Sequence, residues 1–91
     1  MKMRLRDNYV ITDVAREYMA IPVGEAATKT NGIIILSEPA AFLLNKMEQS
    51  LSEEQMIDLL MEEYDVSFAV AKNDIHDFTT KLLEIGLIEI E

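Results

Sequence analysis

The stretch Gly32-Ile33-Ile34-Ile35-Leu36 constrains this chain most: four consecutive large apolar residues introduced by Asn31-Gly32. Three of the four are β-branched, the run is too short for a buried helix, and Asn-Gly in front is a strong turn signal, so the run reads as a strand. It also reads as the last strand, with helices from there to the end of the chain. A small sheet closed by this strand keeps one open edge, which is either a hazard or a binding site.

Upstream, Tyr9 to Ala15 alternates loosely and is rich in β-branched and aromatic residues, which predicts a half-buried strand. Arg16-Glu17 is its expected turn and Tyr18 to Val23 the antiparallel return, with Val10, Val14, Met19, Ile21 and Val23 as the inner face. Pro22 lacks an N–H and therefore belongs near the end of the ladder or at a bulge. Gly24 to Thr30 is a small, polar connection into the third strand.

Downstream, Ser37-Glu38-Pro39 opens a first helix: the serine caps, the proline is pre-shaped for the first turn, and the glutamate complements the helix dipole. That helix carries Ala40, Ala41, Leu43, Leu44 and Met47 and is expected to end near Gln49-Ser50. Ser52 and Gln55 have the capping-box spacing, and Met56, Ile57, Leu59 and Leu60 follow on a short amphipathic helix that runs out near Tyr64-Asp65. Ser67 caps the longest helix, whose stripe is Phe68, Ala71, Ile75, Phe78, Leu82 and Ile85. Gly86 stops it, and the tail Leu87 to Glu91 folds back on the core. Three strands followed by three helices is the segregated order of an α+β domain with a three-stranded antiparallel sheet.

At 91 residues the chain is read as one domain, 1–91, burying roughly 60–65% of its unfolded surface. No apolar run approaches a membrane span, and the basic start Met1 to Arg6 is followed by no signal-like apolar segment. The absence of cysteine removes disulfides, thiolate metal sites and cysteine nucleophiles, and fits a cytoplasmic protein. Residues 1–47 carry six Lys/Arg against five Asp/Glu, whereas residues 48–91 carry two against twelve. A surface so acidic repels nucleic-acid phosphates, and its expected partners are proteins or peptides of some basic character.

Nothing in the chain composes a catalytic site. His76, the only histidine, lies off the apolar stripe with no second ligand, so it reads as a surface residue and no metal site is expected. The pairs Asp74/Asp77 and Glu62/Glu63 read as solvated helix faces, no serine has a base partner, and the three isolated glycines form no phosphate loop. The methionines, Met47 and Met56 above all, are assigned to packing, and Tyr9 and Tyr18 to cross-strand contacts. The reading is therefore a non-enzyme without a cofactor.

The segment I-P-V-G-E-A-A-T-K-T-N-G-I-I-I-L-S-E-P-A-A-F-L at 21–43, with E-E-Q-M-I-D-L-L-M-E-E-Y-D-V at 53–66 and L-L-E-I-G-L-I-E at 82–89, resembles the PqqD-like family. The resemblance implies a winged helix-turn-helix-like domain. It further implies a recognition element that binds the leader of a ribosomally made precursor peptide and presents it to a modifying enzyme, such as a radical SAM maturase or leader protease. Carried over, the leader would pair as an added strand along Ile33, Ile34, Ile35 and Leu36, against a wall of Asp74, Asp77, Phe78 and Lys81. Ser37-Glu38-Pro39-Ala40 departs from the Asn-Glu-Thr-Gly-like entry of that family but keeps the cap chemistry, and leaves the particular pathway open. Two rival uses remain: a winged-helix DNA-binding regulator, which Asp74, Asp77 and Glu84 against Lys72 and Lys81 on the third helix disfavour, and a homodimer through the third-strand edge.

Overall fold

A computed structural model of the chain describes residues 1–25, 27 and 32–91. Its elements run β1 (Lys2–Leu5), β2 (Tyr9–Val14), β3 (Glu17–Pro22), β4 (Ile34–Leu36), α1 (Glu38–Lys46), β5 (Leu51–Ser52), α2 (Glu53–Glu63), α3 (Phe68–Glu84) and β6 (Ile88–Ile90). The strands form two antiparallel three-stranded sheets, ordered β5-β1-β6 and β2-β3-β4. Among the described residues the architecture is thus α+β with three long helices, and the expected single sheet is corrected to two.

The β5-β1-β6 sheet is built from the chain's start, middle and end. Met3 pairs with both Leu51 and Ile90, and its side chain is fully buried. Strands of two to four residues carry too little periodicity to be read locally, and pairing across the length of the chain is what makes them strands. The helix ends are local and follow the chemistry. Ser37, Ser52 and Ser67 each accept from a backbone N–H of the first turn, and Gln55 returns a bond to the Ser52 N–H. Gly86, at φ 78°, lets the Leu87 N–H reach the Leu82 carbonyl and the Gly86 N–H reach that of Leu83, which ends α3 and aims Leu87 and Ile88 into the core. The first helix stops at Lys46, short of Gln49-Ser50, because Met47 caps it and is itself buried.

Two further readings are corrected. The hairpin turn is Ala15-Arg16, both left-handed at φ 52° and 68°, not Arg16-Glu17. Nothing in Ala-Arg advertises a turn with two positive φ values, which usually uses Asn-Gly. The hairpin's core face is also the opposite one: Tyr9, Ile11 and Ala20 pack inward, whereas Val10, Val14 and Val23 are exposed and Met19 and Ile21 half-buried. Both faces are apolar, so alternation alone does not choose between them; burial of Ile34 and Leu36 beside Ala20 does. On α3, Ala71, Ile75 and Leu82 are buried and Phe78 half-buried, but Phe68 and Ile85 at the two ends are exposed. Thr79 is buried instead, its hydroxyl within reach of the Ile75 and His76 carbonyls (3.0 and 3.2 Å) and the Glu53 carboxylate (3.1 Å). Most of the Gly24–Thr30 connection, and Asn31 of the predicted Asn-Gly turn, lie outside the described residues.

Met3→Ala is expected to cost about 2–5 kcal/mol as a buried large-to-small change, and Val14→Ala to stay within about 0.5 kcal/mol. Urea denaturation of the two variants measures both.

Candidate functional site

The site begins with the hydrogen-bond alternation of an antiparallel ladder. The Val23 N–H donates to the Asn8 carbonyl at 2.9 Å, making Asn8/Val23 a hydrogen-bonded pair. Alternate residues of β3 therefore turn their backbone groups to opposite sides, and Tyr18 and Ala20 turn theirs toward β4. With Ala20 opposite Ile34 and Tyr18 opposite Leu36, Ile34 and Leu36 spend their N–H and C=O groups on β3. Ile35 turns its own N–H and C=O to the open side, because β4 is the last strand of its sheet among the described residues. Pro22 costs the sheet nothing, since its missing N–H falls where β4 has not begun.

Side chains alternate with the same period. Ile34 and Leu36 pack against the core, and Ile33 and Ile35 are exposed. The strand is thus held on one side and one face, and is open on the other side and face.

Just beyond β4 a groove of about 450 Å³ opens between α1 and α3. Ser37, Pro39, Ala40 and Leu43 form one wall, and Leu60, Tyr64 and Val66 close one end. Asp74, Ile75, Asp77, Phe78 and Lys81 of α3 form the opposite wall. The floor is apolar and the charges are exposed on the rim. All four wall residues named from the sequence are therefore brought together. The strand residues Ile33 to Leu36 do not line the groove; they reach its mouth through Ser37. The α1 and α2 contributors were not legible in the sequence, since which face of α1 meets α3 is set by packing and no motif marks it.

A strut holds the closed end. The Tyr64 hydroxyl donates to Glu38 Oε1 at 3.1 Å, and its ring meets Phe42 edge-on at 5.9 Å. The Lys46 ammonium lies 5.7 Å from the Phe42 ring centre. Partial burial, the bond to Glu38 and the negative charges of Glu38 and Glu63 raise the Tyr64 phenol above its ordinary value. His76 lies elsewhere, with Phe68 and Lys72 in a shallow depression against Glu53. Among the described residues, no group of three or more His, Asp or Glu is placed to hold a metal ion, and no helix is long and apolar enough to cross a membrane.

The chain is thus an α+β domain whose open strand edge leads, through Ser37, to the mouth of an apolar groove with charged residues on its rim. The model of the coenzyme PQQ synthesis protein D (PqqD) family matches residues 10–88, and the chain belongs to that family. Solved structures share the fold. The lasso peptide synthetase B1 complexed with its leader peptide superposes with a TM-score of 0.75 at 20% identity, covering 99% of this chain and 100% of the other. TbiB1 in complex with the TbiA(β) leader peptide gives 0.75 at 18%, covering 97% and 96%. The PqqD truncation of Methylobacterium extorquens PqqCD, a stand-alone recognition element for ribosomally synthesised and post-translationally modified peptides, gives 0.75 at 16%, covering 98% and 89%. Among curated proteins, none matches this sequence.

The raised Tyr64 value fixes the direction of a pH effect. The neutral phenol is favoured in the folded state, so its contribution is complete below the ordinary value of 10.0 and is lost as pH rises through the higher folded value. Spectrophotometric titration is expected to show a tyrosine component ionising above the ordinary value of 10.0, and Tyr64→Phe to remove that component while the ring contact with Phe42 remains.

Proposed function

We propose that this chain binds the leader segment of a ribosomally synthesised precursor peptide as an added strand on β4 and presents it to a modifying enzyme, a radical SAM maturase or a leader protease. The observation that carries the proposal is the outward backbone of Ile35, on the strand that leads to the mouth of the Phe78 groove. Membership of the PqqD family and the shared fold of two leader-peptide complexes support it. In this reading Ile33, Ile34, Ile35 and Leu36 are the pairing edge, and Asp74, Asp77, Phe78 and Lys81 the wall. The winged helix-turn-helix-like description belongs to the same proposal, with the β2–β3 hairpin, which packs against α1, as the wing.

The energetics suffice. Strand addition contributes about 0.5–1.5 kcal/mol net per hydrogen bond, and an apolar side chain entering the groove adds about 1.5–3 kcal/mol. Four such bonds and two anchors contribute about 5–12 kcal/mol before an association cost of about 4 kcal/mol or more, so micromolar binding, about −8 kcal/mol, draws on the upper end of that range. Asp74 and Asp77 on the rim favour leaders with Lys or Arg beside the pairing segment. A second copy of the chain would meet the edge through the same backbone groups, so any homodimer formed there competes with the peptide.

Isothermal titration with the precursor encoded beside this gene is expected to give saturable binding in the micromolar range or tighter; no heat at high micromolar peptide would refute the proposal. Ile35→Pro removes the outward N–H together with the Ile35 side chain and sets its ring against an added strand, and is expected to abolish binding with the circular dichroism of the fold unchanged. Phe78→Ala is expected to weaken binding at least about tenfold, as loss of a central anchor.

A further inference from the structure

The face of the β2-β3-β4 sheet turned away from the core is apolar, which strand alternation does not call for. Antiparallel sheets with one wet face ordinarily alternate apolar-in and polar-out, and uninterrupted apolar runs belong to strands covered on both faces. Here the outward residues of the three strands are Val10, Thr12 and Val14, then Glu17, Met19 and Ile21, then Ile35. Glu17 is the only charged residue among them, and it stands opposite Val14 at the hairpin end. One row of these residues runs Thr12, Met19, Ile35 across the sheet.

Exposure along that row rises toward the open edge. Thr12 and Met19 are half-buried, whereas Ile35 is 65% exposed. Ile35 has Met19 on one side and, among the described residues, no strand on the other, so what it lacks there is a neighbour in the next strand position. Its own N–H and C=O point to that same position. A strand hydrogen-bonded there must place one residue directly opposite Ile35, with its side chain on the same outer face and its Cβ about 5.5 Å away.

We infer that Ile35, backed by Met19, is a specificity contact for the outward side of the bound peptide and selects a large apolar, preferably β-branched or aromatic, residue at the position opposite it. The inference rests on the strand-addition reading of β4. The residues on either side of that position face inward, beside Ile34 and Leu36. The recognised segment is therefore three consecutive apolar residues, not an alternating apolar–polar one. A polar residue in the middle would leave Ile35 and Met19 as they are in the free chain; an apolar one covers them. Cross-strand pairs of this kind shift affinity about 1.5- to 5-fold. The contact thus discriminates among leaders and adds little to overall strength.

Selection of a random displayed peptide library on the full chain, in parallel with Ile35→Thr and Ile35→Val, tests this. Threonine keeps the β-branch and the backbone geometry while replacing a methyl-bearing arm with a hydroxyl, and valine keeps the apolar character. The wild type and Ile35→Val are expected to enrich peptides with three consecutive apolar residues. Ile35→Thr is expected to retain the two flanking preferences and lose the middle one. Binding peptides with an indifferent middle position on the wild type, or the same middle preference on Ile35→Thr, would overturn the inference and leave strand addition standing. Enrichment of no peptide at all would overturn strand addition, and the inference with it. A concentration-dependent mass in light scattering that Ile35→Thr abolishes would assign the face to a second copy of the chain and also overturn the inference.

Discussion

The site depends on the pairing of β4 with β3. Because backbone groups alternate along an antiparallel strand, the bonds that hold Ile34 and Leu36 to Ala20 and Tyr18 are the same bonds that leave Ile35 free. A one-residue slip would exchange these roles and turn Ile34 and Leu36 out of the core, so burial of those two side chains also sets which backbone groups meet a guest. Ala20 is the pivot. It is fully buried, opposite Ile11 on one side and Ile34 on the other, and its small side chain lets the core close over the middle of the sheet.

The rest of the chain turns that edge into a site. Ser37 follows β4 directly and caps α1, so the strand end, the helix start and the groove mouth share a few residues. The bond from Tyr64 to Glu38 and the edge-on contact with Phe42 tie the end of α2 to α1. On the far side, β1 takes β5 and β6 as partners, which ties the start of the chain to its end and seats Leu87 and Ile88 after α3. The groove therefore stands between helices that are each fixed from behind. Charge and floor are separated: Asp74, Asp77 and Lys81 stay in water on the rim, above an apolar floor.

Much of this was legible in the residues, and the part that was not has a common cause. The caps at Ser37, Ser52 and Ser67, the stop at Gly86 and the strand at Ile34 to Leu36 are written in contiguous residues, because each depends on interactions within a few positions. The quartet Asp74, Asp77, Phe78 and Lys81 was legible through family resemblance and helical spacing together. The short strands β1, β5 and β6 were not, nor was the hairpin's choice of face. Met3 reads as part of a basic start until Leu51 and Ile90 arrive beside it, and Val10 and Val14 look as fit for a core as Tyr9 and Ile11 until Ile34 and Leu36 break the tie.

By itself, then, the amino-acid sequence determined the type and order of the helices, their capped ends, the existence of an apolar strand after Gly32, and the acidic character of the C-terminal half. These follow from local hydrogen bonding, side-chain periodicity and charge, which need no knowledge of what lies across the molecule. Only the tertiary structure decided that there are two sheets, which hairpin face is buried, that Ile35 rather than Ile34 offers its backbone outward, and that α1 and α3 enclose a groove at the end of β4. Those are matters of which distant residues meet, and the free energy that settles them is burial shared between segments far apart in the chain.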